Sequence, residues 1–166
     1  MKGTYVEYVL EELNKEQIGA PIYTGKIAGK MEKAFNLGPK AAAAAAAVAF
    51  KRILDGKAMP DLRFYQKGIY YRTMKTPFGE RGIDKEQLIS DKYLLPDIGY
   101  ETGPSILHRM GLTTQMPRGR LLATNVAKNC IRADKRLGVL VRPPKVEVTA
   151  ENKAYLKTLD VLDMMK

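Results

Sequence analysis

The residues best suited to chemistry are a single histidine, His108, and a single cysteine, Cys130. Catalytic and metal-binding histidines need partner groups that converge on the imidazole, whereas His108 stands between Leu107 and Arg109 in a predicted short helix. Cys130 belongs to no nucleophile motif, so we expect it to be a partly buried apolar side chain. A Cys130–His108 dyad is the alternative, and no catalytic motif supports it.

The carboxylates form no clear catalytic pair. Asp84, Glu86 and Asp91 alternate with lysines on a predicted helix, which is typical of a solvated face. Asp160 and Asp163 share one face of the last predicted helix, but a metal ion would need further oxygen ligands. Glycine-rich phosphate loops are absent from the sequence. We therefore expect no catalytic residue, no metal site, no cofactor and no enzymatic activity.

Positive charge is the strongest chemical signal: 28 Lys and Arg face 18 Asp and Glu, for a net charge of +10. Residues 17–80 hold eleven basic and four acidic side chains, and residues 118–145 hold eight basic and one acidic. Such an excess favours nucleic acid, anionic membranes or acidic proteins as partners. No apolar run approaches the roughly 20 residues that span a bilayer, and no signal-peptide pattern is present. With a single cysteine, this predicts a cytoplasmic protein that does not bind membranes.

The first basic segment lies within a predicted order of helix, helix, turn, helix and hairpin. The first helix has its apolar side inward and Glu7, Glu11 and Glu12 outward, and Thr24 is a suitable N-cap for the second. The third helix begins at Pro39 and contains seven consecutive alanines, the residue with the highest helix propensity. Its predicted core stripe is Ala42, Ala46, Ala49, Phe50 and Ile53. Residues 62–65 and 69–73 predict a hairpin joined by residues 66–68.

This order is typical of a winged helix-turn-helix, which places its recognition helix in the DNA major groove and its hairpin, the wing, beside the backbone. Here the third helix would be the recognition helix. Basic side chains on the second helix, the third helix and the wing would neutralise phosphates. The predicted DNA contacts are Lys26, Lys30, Lys40, Lys51, Arg52, Arg63, Lys67 and Arg72.

The recognition helix is unusual because its predicted outward face (Lys40, Ala44, Ala47 or Val48, and Lys51) offers almost no base-reading group. Alanine and valine can contact only thymine methyl groups, so sequence preference would come from the helix ends, the wing or DNA shape. Two other interpretations stay open. The alanines can serve close helix packing, or they can stand for residues whose identity is not securely established.

The second half predicts a small mixed α/β domain, giving an α+β protein with domains at 1–78 and 79–166. Strands are predicted at 121–124, 139–141 and 146–148, and a last helix capped by Thr149 carries an inward face. That face comprises Ala154, Tyr155, Leu159 and Leu162. The second basic patch consists of Arg118, Arg120, Arg132, Lys135, Arg136 and Arg142, accompanied by Lys128 and Lys145. It would contact DNA, an RNA-bound partner or an acidic partner, or it is a solvated surface.

Three stretches resemble the AbiEi-type antitoxins of bacterial abortive-infection systems. They are AFKRILDG (49–56) with YQKGIYY (65–71), GYETGPSILH (99–108) with GLTTQ (111–115), and ATN (123–125). Phe50 and Ile53 stand where the family usually has leucine, and the C-terminal half is shorter. The resemblance implies a winged helix-turn-helix that binds its own promoter and represses it. It also implies a C-terminal domain that neutralises a nucleotidyltransferase-like toxin of a type IV toxin–antitoxin system.

The leading hypothesis is therefore a transcriptional regulator that binds double-stranded DNA, as a dimer or as two copies on repeated sites, and also acts as an antitoxin. The alternative is a protein-interaction module whose winged helix no longer reads DNA.

Overall fold

The computed structural model describes residues 4–165 and divides the chain into two compact units, one ending at Asp84 and one beginning at Lys85. Within the described residues there are six α-helices and three sheets, and the expected α+β class is confirmed. Each unit has its own hydrophobic core.

The first unit combines three helices with a three-stranded antiparallel sheet of order β1-β3-β2. A two-stranded hairpin, β4 with β5, follows it. The elements are α1 (Tyr5–Lys15), β1 (Pro21–Tyr23), α2 (Thr24–Phe35), α3 (Pro39–Asp55), β2 (Leu62–Gln66), β3 (Ile69–Arg72), β4 (Lys75–Thr76) and β5 (Gly79–Glu80).

Helix α3 forms where the sequence predicts it, and its predicted core stripe is confirmed. Pro39 occupies the first turn, and the helix ends at Asp55 before Gly56. The buried residues of the helix are Ala42, Ala46, Ala49, Phe50 and Ile53. The Phe50 ring stacks on Tyr70 of β3 at 4.6 Å between centroids, which attaches the helix to the sheet.

Two details of the first unit differ from expectation. Glu12 is buried rather than outward, because it lies three residues after the core residue Val9 on the same helix face, where Lys15 and Lys30 neutralise it. Thr24 is the first residue of α2 rather than its N-cap. Its hydroxyl and its N–H both donate to the Gly68 carbonyl in the β2–β3 turn, at 3.3 and 3.0 Å, so it joins the helix to the hairpin.

The first unit continues past residue 78, the boundary placed by sequence analysis, to Asp84. The Thr73 hydroxyl donates to the Arg81 carbonyl at 2.8 Å, and the Asp84 N–H donates to the Gly19 carbonyl at 2.8 Å. These bonds attach the residues that follow β5, up to Asp84, to the first unit. Pro77 and Gly79 therefore mark the turn of a hairpin.

The second unit contains a four-stranded mixed sheet of order β6-β7-β9-β8, in which β7 and β9 are parallel. Its first helix, α4, continues directly into a single π-helical turn at Ser90–Leu94. The elements are α4 (Lys85–Ile89), β6 (Gly99–Thr102), α5 (Pro104–Arg109), β7 (Arg120–Thr124), β8 (Arg132–Asp134), β9 (Val139–Arg142) and α6 (Lys153–Met164).

A buried carboxylate, Asp160 of α6, holds this helix to the sheet. Tyr100 and Thr102 of β6 donate hydroxyl hydrogen bonds to it at 3.0 and 2.9 Å, and the Arg142 guanidinium of β9 pairs with it. Lys145 Nζ lies 3.3 Å from its other oxygen. Burial, together with the bond to Asp160, raises the pKa of Tyr100 to about 12. Strands β6 and β9 and helix α6 are therefore held together by one carboxylate.

This arrangement contradicts the predicted inward face of the last helix. The buried residues of α6 are Leu156, Asp160 and Val161, while Tyr155, Leu159 and Leu162 are exposed. The sequence pattern placed the apolar side chains of α6 inward and Asp160 outward. The residues that pair with a buried Asp160 are remote in sequence, so the local pattern does not reveal them. Ala154, also predicted inward, is exposed as well.

The predicted strand at 146–148 is absent from the structure of this segment. The N–H and carbonyl of Val148 instead bond the Asn125 side chain, both at 2.9 Å. The β-branched residues of the segment favoured a strand, but no neighbouring strand pairs with it.

We predict that Asp160→Ala lowers the free energy of unfolding by about 3–5 kcal/mol, because it removes the counter-charge of the largely covered Arg142 guanidinium and leaves the buried Tyr100 and Thr102 hydroxyls without their acceptor. Asp163→Ala is the matched control: its ion pair with Lys145 is half-exposed, and its loss should cost less than about 1 kcal/mol. Urea denaturation of both variants measures the difference. Equal losses would mean that Asp160 does not hold α6 in place.

Candidate nucleic-acid interface

The exposed side of α3 is basic at both ends and apolar in the middle. Lys40 lies at its start and Lys51 and Arg52 lie near its end, and all three are exposed. Between them Ala44 and Val48 also face solvent. Lys40 and Lys51 are eleven positions apart, which corresponds to about 16 Å along a helix axis. That separation exceeds the roughly 12 Å width of the DNA major groove.

A second cluster of exposed cations lies at the start of α2 and in the hairpin turn. Lys67 is exposed in that turn, beside Gly68, whose positive φ of 79° permits the tight reversal. The bonds from Thr24 to Gly68 hold this turn at the first residue of α2. Lys26 Nζ lies 4.7 Å from the Tyr23 ring centroid. Lys26 and Lys67 therefore lie on a helix start and a hairpin turn that hydrogen bonds hold together.

Arg72, a predicted DNA contact, is used inside the protein. Its guanidinium pairs with Asp61 at 2.7 Å and donates to the carbonyls of Leu13, Asn14 and Glu16 at 3.5, 3.3 and 3.4 Å. Those carbonyls lie at the end of α1, where the helical N–H partners run out, although the Leu13 carbonyl also accepts the Glu16 N–H at 3.2 Å. Arg72 therefore fastens α1 to β3.

Two further predicted contacts are also paired internally. Lys30 binds the buried Glu12 at 2.6 Å, and this hydrogen bond raises the pKa of Lys30. Arg63 pairs with Glu80 at 3.0 Å and donates to the Pro60 carbonyl at 2.7 Å. Within residues 4–165, no ion pair involves Lys26, Lys40, Lys51, Arg52 or Lys67. These five remain the strongest candidates for phosphate contact.

The second basic patch divides in the same way. Arg120 pairs with Glu86 and with the buried Glu101, and Arg142 pairs with Asp160, so both stabilise the second unit. Arg118 is exposed in the loop before β7. The other predicted members, Arg132, Lys135 and Arg136, line one cleft together with Lys92. Lys92 had no place in the predicted patch because it lies on α4's π-helical extension, forty residues earlier in the chain.

Cys130 and His108 lie in different segments of the second unit. Cys130 is exposed, which contradicts the expected partial burial, because it lies in an irregular segment before β8. His108 is in the last turn of α5. Among residues 4–165, no group of three or more His, Cys, Asp or Glu side chains is arranged to hold a metal ion. None of the helices in this range has both the length and the apolar character needed to cross a bilayer.

Sequence reasoning missed the ion pairs that remove arginines from the basic surfaces. One of them lies beside a predicted element: β3 pairs Arg72 with Leu62, and Asp61 directly precedes Leu62 at the start of the hairpin. The pairs of Arg120 with Glu101 and of Arg142 with Asp160 span 19 and 18 residues, and no local pattern marks them.

Searches of protein-family models, curated proteins and solved structures give no significant match to this chain. The resemblance to AbiEi-type antitoxins therefore stays a prediction.

We predict that Arg72→Ala lowers the free energy of unfolding by about 1–3 kcal/mol, because it removes charge-assisted bonds to Asp61 and to the end of α1. Arg63→Ala on the same hairpin is the control, and losing its solvent-exposed pair with Glu80 should change stability much less. The urea midpoint of each variant measures the effect. An Arg72→Ala protein as stable as Arg63→Ala would leave Arg72 available for DNA.

The pH dependence of stability should report on Asp134. Burial opposes its ionisation, but bonds from Lys92, Tyr93 and the Leu137 N–H prevail and lower its pKa from 3.8 to about 2. Because the pKa of Asp134 in the folded protein lies below its unfolded-state value of 3.8, the ionised side chain stabilises the folded protein above pH 3.8. This stabilisation is lost as the pH falls towards 2. The side chain is only 15% exposed, so the contribution is about 2 kcal/mol.

We expect the stability difference between the wild-type protein and Asp134→Asn to shrink by about 2 kcal/mol between pH 5 and pH 2. Urea denaturation across this range tests it. A difference that does not change with pH would show that Asp134 titrates alike in the folded and unfolded chains.

Proposed function

We propose that the first unit is a winged helix-turn-helix that binds double-stranded DNA and that the protein regulates transcription. The observation that carries this proposal is the exposed face of α3, with Lys40 at one end and Lys51 and Arg52 at the other. The order of α1, β1, α2, α3 and the β2–β3 hairpin supports it, with β1 paired to β3. In this proposal α3 enters the major groove and the hairpin is the wing.

The cations at the two ends of α3 would bind phosphates that flank the groove, since their separation exceeds its width. Ala44 and Val48 would face the base edges, where they can contact thymine methyl groups but cannot form hydrogen bonds. Lys26 and Lys67 would bind further phosphates from the α2–hairpin junction. Affinity would then come mainly from the backbone, and sequence preference from DNA shape and methyl contacts.

The full antitoxin role extends this proposal. A regulator of this kind binds its own promoter as two copies on paired half-sites and represses it. The second unit would neutralise a nucleotidyltransferase-like toxin. Its support is the AbiEi-like sequence and the exposed apolar stripe of α6, where Tyr155 is 73% exposed and Leu159 and Leu162 are each 53% exposed. Such a stripe is more typical of a protein contact than of a solvated surface.

The alternative is a protein-interaction module that does not read DNA. Two observations favour it: the apolar centre of the exposed α3 face and the apolar stripe of α6. It differs from the first proposal in what the lysines do, because a protein-binding face would not require Lys51 and Lys67 for contact with phosphate.

We predict that the double variant Lys51→Ala/Lys67→Ala weakens binding to the region upstream of its gene and reduces the slope of log K against log salt by about 2. Lys75→Ala/Lys85→Ala removes the same charge from exposed positions outside α2, α3 and the wing, and should leave the slope within about 0.5 of the wild-type value. Gel shifts at several salt concentrations measure both.

Equal losses of DNA affinity in the two double variants would mean that the protein binds DNA only through its overall positive charge. Failure of the wild-type protein to bind DNA at low salt would favour the interaction module. Thermal melting of each variant checks that the first unit still folds.

A further inference from the structure

The second unit contains a basic cleft that the DNA-binding proposal does not use. Its volume is about 410 Å³, and it lies at β8, one of the two edge strands of the four-stranded sheet. Lys92 and Tyr93 of the π-helical turn line it, along with residues of β8 and of the turn that follows. Those residues include Arg132, Asp134, Lys135 and Arg136.

The single carboxylate in this cleft is already neutralised. Asp134 accepts bonds from Lys92 Nζ and the Tyr93 hydroxyl, each at 2.8 Å, and from the Leu137 N–H at 3.2 Å. The positive charge of Lys92 is therefore balanced by Asp134. The positive charges of Arg132 and Lys135, which also line the cleft, are not.

Arg132 and Lys135 can both reach an incoming anion. Both are exposed, and neither forms an ion pair with an acidic side chain of residues 4–165. The Arg132 guanidinium donates to the Val126 carbonyl at 3.4 Å, which occupies one Nη and leaves further N–H donors. A guanidinium with free donors beside an ammonium group suits an anion with several oxygen atoms.

The apolar lining restricts the ligand further. Tyr93 and Val141 are 3% and 1% exposed, and the exposed Ala133 ends in a methyl group, so the lining offers no broad face to a base or another flat apolar group. Recognition must come from charge and hydrogen bonds, and a phosphate supplies both: two negative charges or nearly so and several acceptor oxygens. We propose that this cleft is a phosphate-binding site, with Arg132 and Lys135 as the principal ligands and Arg136 beside them. The source of the phosphate is either a small phosphorylated molecule or a nucleic-acid backbone.

Isothermal titration calorimetry of the full chain with inorganic pyrophosphate tests the proposal. Arg132→Gln/Lys135→Gln should weaken pyrophosphate binding at least about tenfold, since each substitution removes a charge-assisted contact. Arg118→Gln/Lys128→Gln is the matched control: it removes the same charge from exposed positions of the same basic segment outside the cleft, and should change affinity less than about twofold.

Two more probes distinguish the sources. Tighter binding of fructose 1,6-bisphosphate, whose hydroxyl groups can add hydrogen bonds, than of pyrophosphate, lost in the cleft variant, would indicate a small phosphorylated ligand. Tighter binding of an eight-nucleotide single-stranded thymidine oligomer, also lost in the cleft variant, would indicate a nucleic-acid backbone. Lys51→Ala/Lys67→Ala should bind pyrophosphate normally, so this proposal and the DNA-binding proposal fail separately.

Absence of binding by all three probes at about 1 mM would overturn the proposal, as would equal losses in the cleft and control variants. If the double variant does not fold by circular dichroism, Lys135→Glu replaces it. This position is exposed in a turn, and the reversed charge should abolish pyrophosphate binding.

Discussion

Close packing of α3 is the constraint on which the first unit depends. Where Ala42, Ala46 and Ala49 face the core, the side chain ends at Cβ, so α1 and α2 can approach the α3 backbone closely. Phe50 and Ile53 then fill the remaining volume and connect the helix to the sheet. A larger side chain at a buried alanine would force this packing apart. Once the buried stripe is fixed, the helix period also fixes which residues face solvent.

Charge obeys a similar constraint in both units. A carboxylate withdrawn from water must be paired, and Glu12, Glu101 and Asp160 each bind two cationic side chains. These pairs use arginines and lysines that otherwise would add to a basic surface. The net charge of +10 therefore overstates how much cationic surface is available to a ligand. Of the exposed cations that form no ion pair within residues 4–165, α3, the α2–hairpin junction and the β8 cleft each hold at least two.

The two proposed phosphate sites differ in shape, and the difference has a functional meaning. The first unit presents a convex helix with separated cations, which suits a long polyanion whose phosphates recur at intervals. The second unit presents a concave cleft with adjacent cations, which suits one phosphate-bearing group. Its exposed α6 stripe adds an apolar surface of a third kind. A regulator that also senses or neutralises a partner would need distinct surfaces of this sort.

The sequence alone determined the elements whose signals are local. The alanine run, Pro39 and Gly56 define α3 and its buried stripe, since propensity and the helix period act over a few residues. The hairpin at 62–72 follows from β-rich runs around a glycine turn. The tertiary structure alone decided which cations are free and which face of α6 is buried. Both depend on pairs such as Arg142 with Asp160, whose partners are brought together by folding and leave no mark in the local pattern.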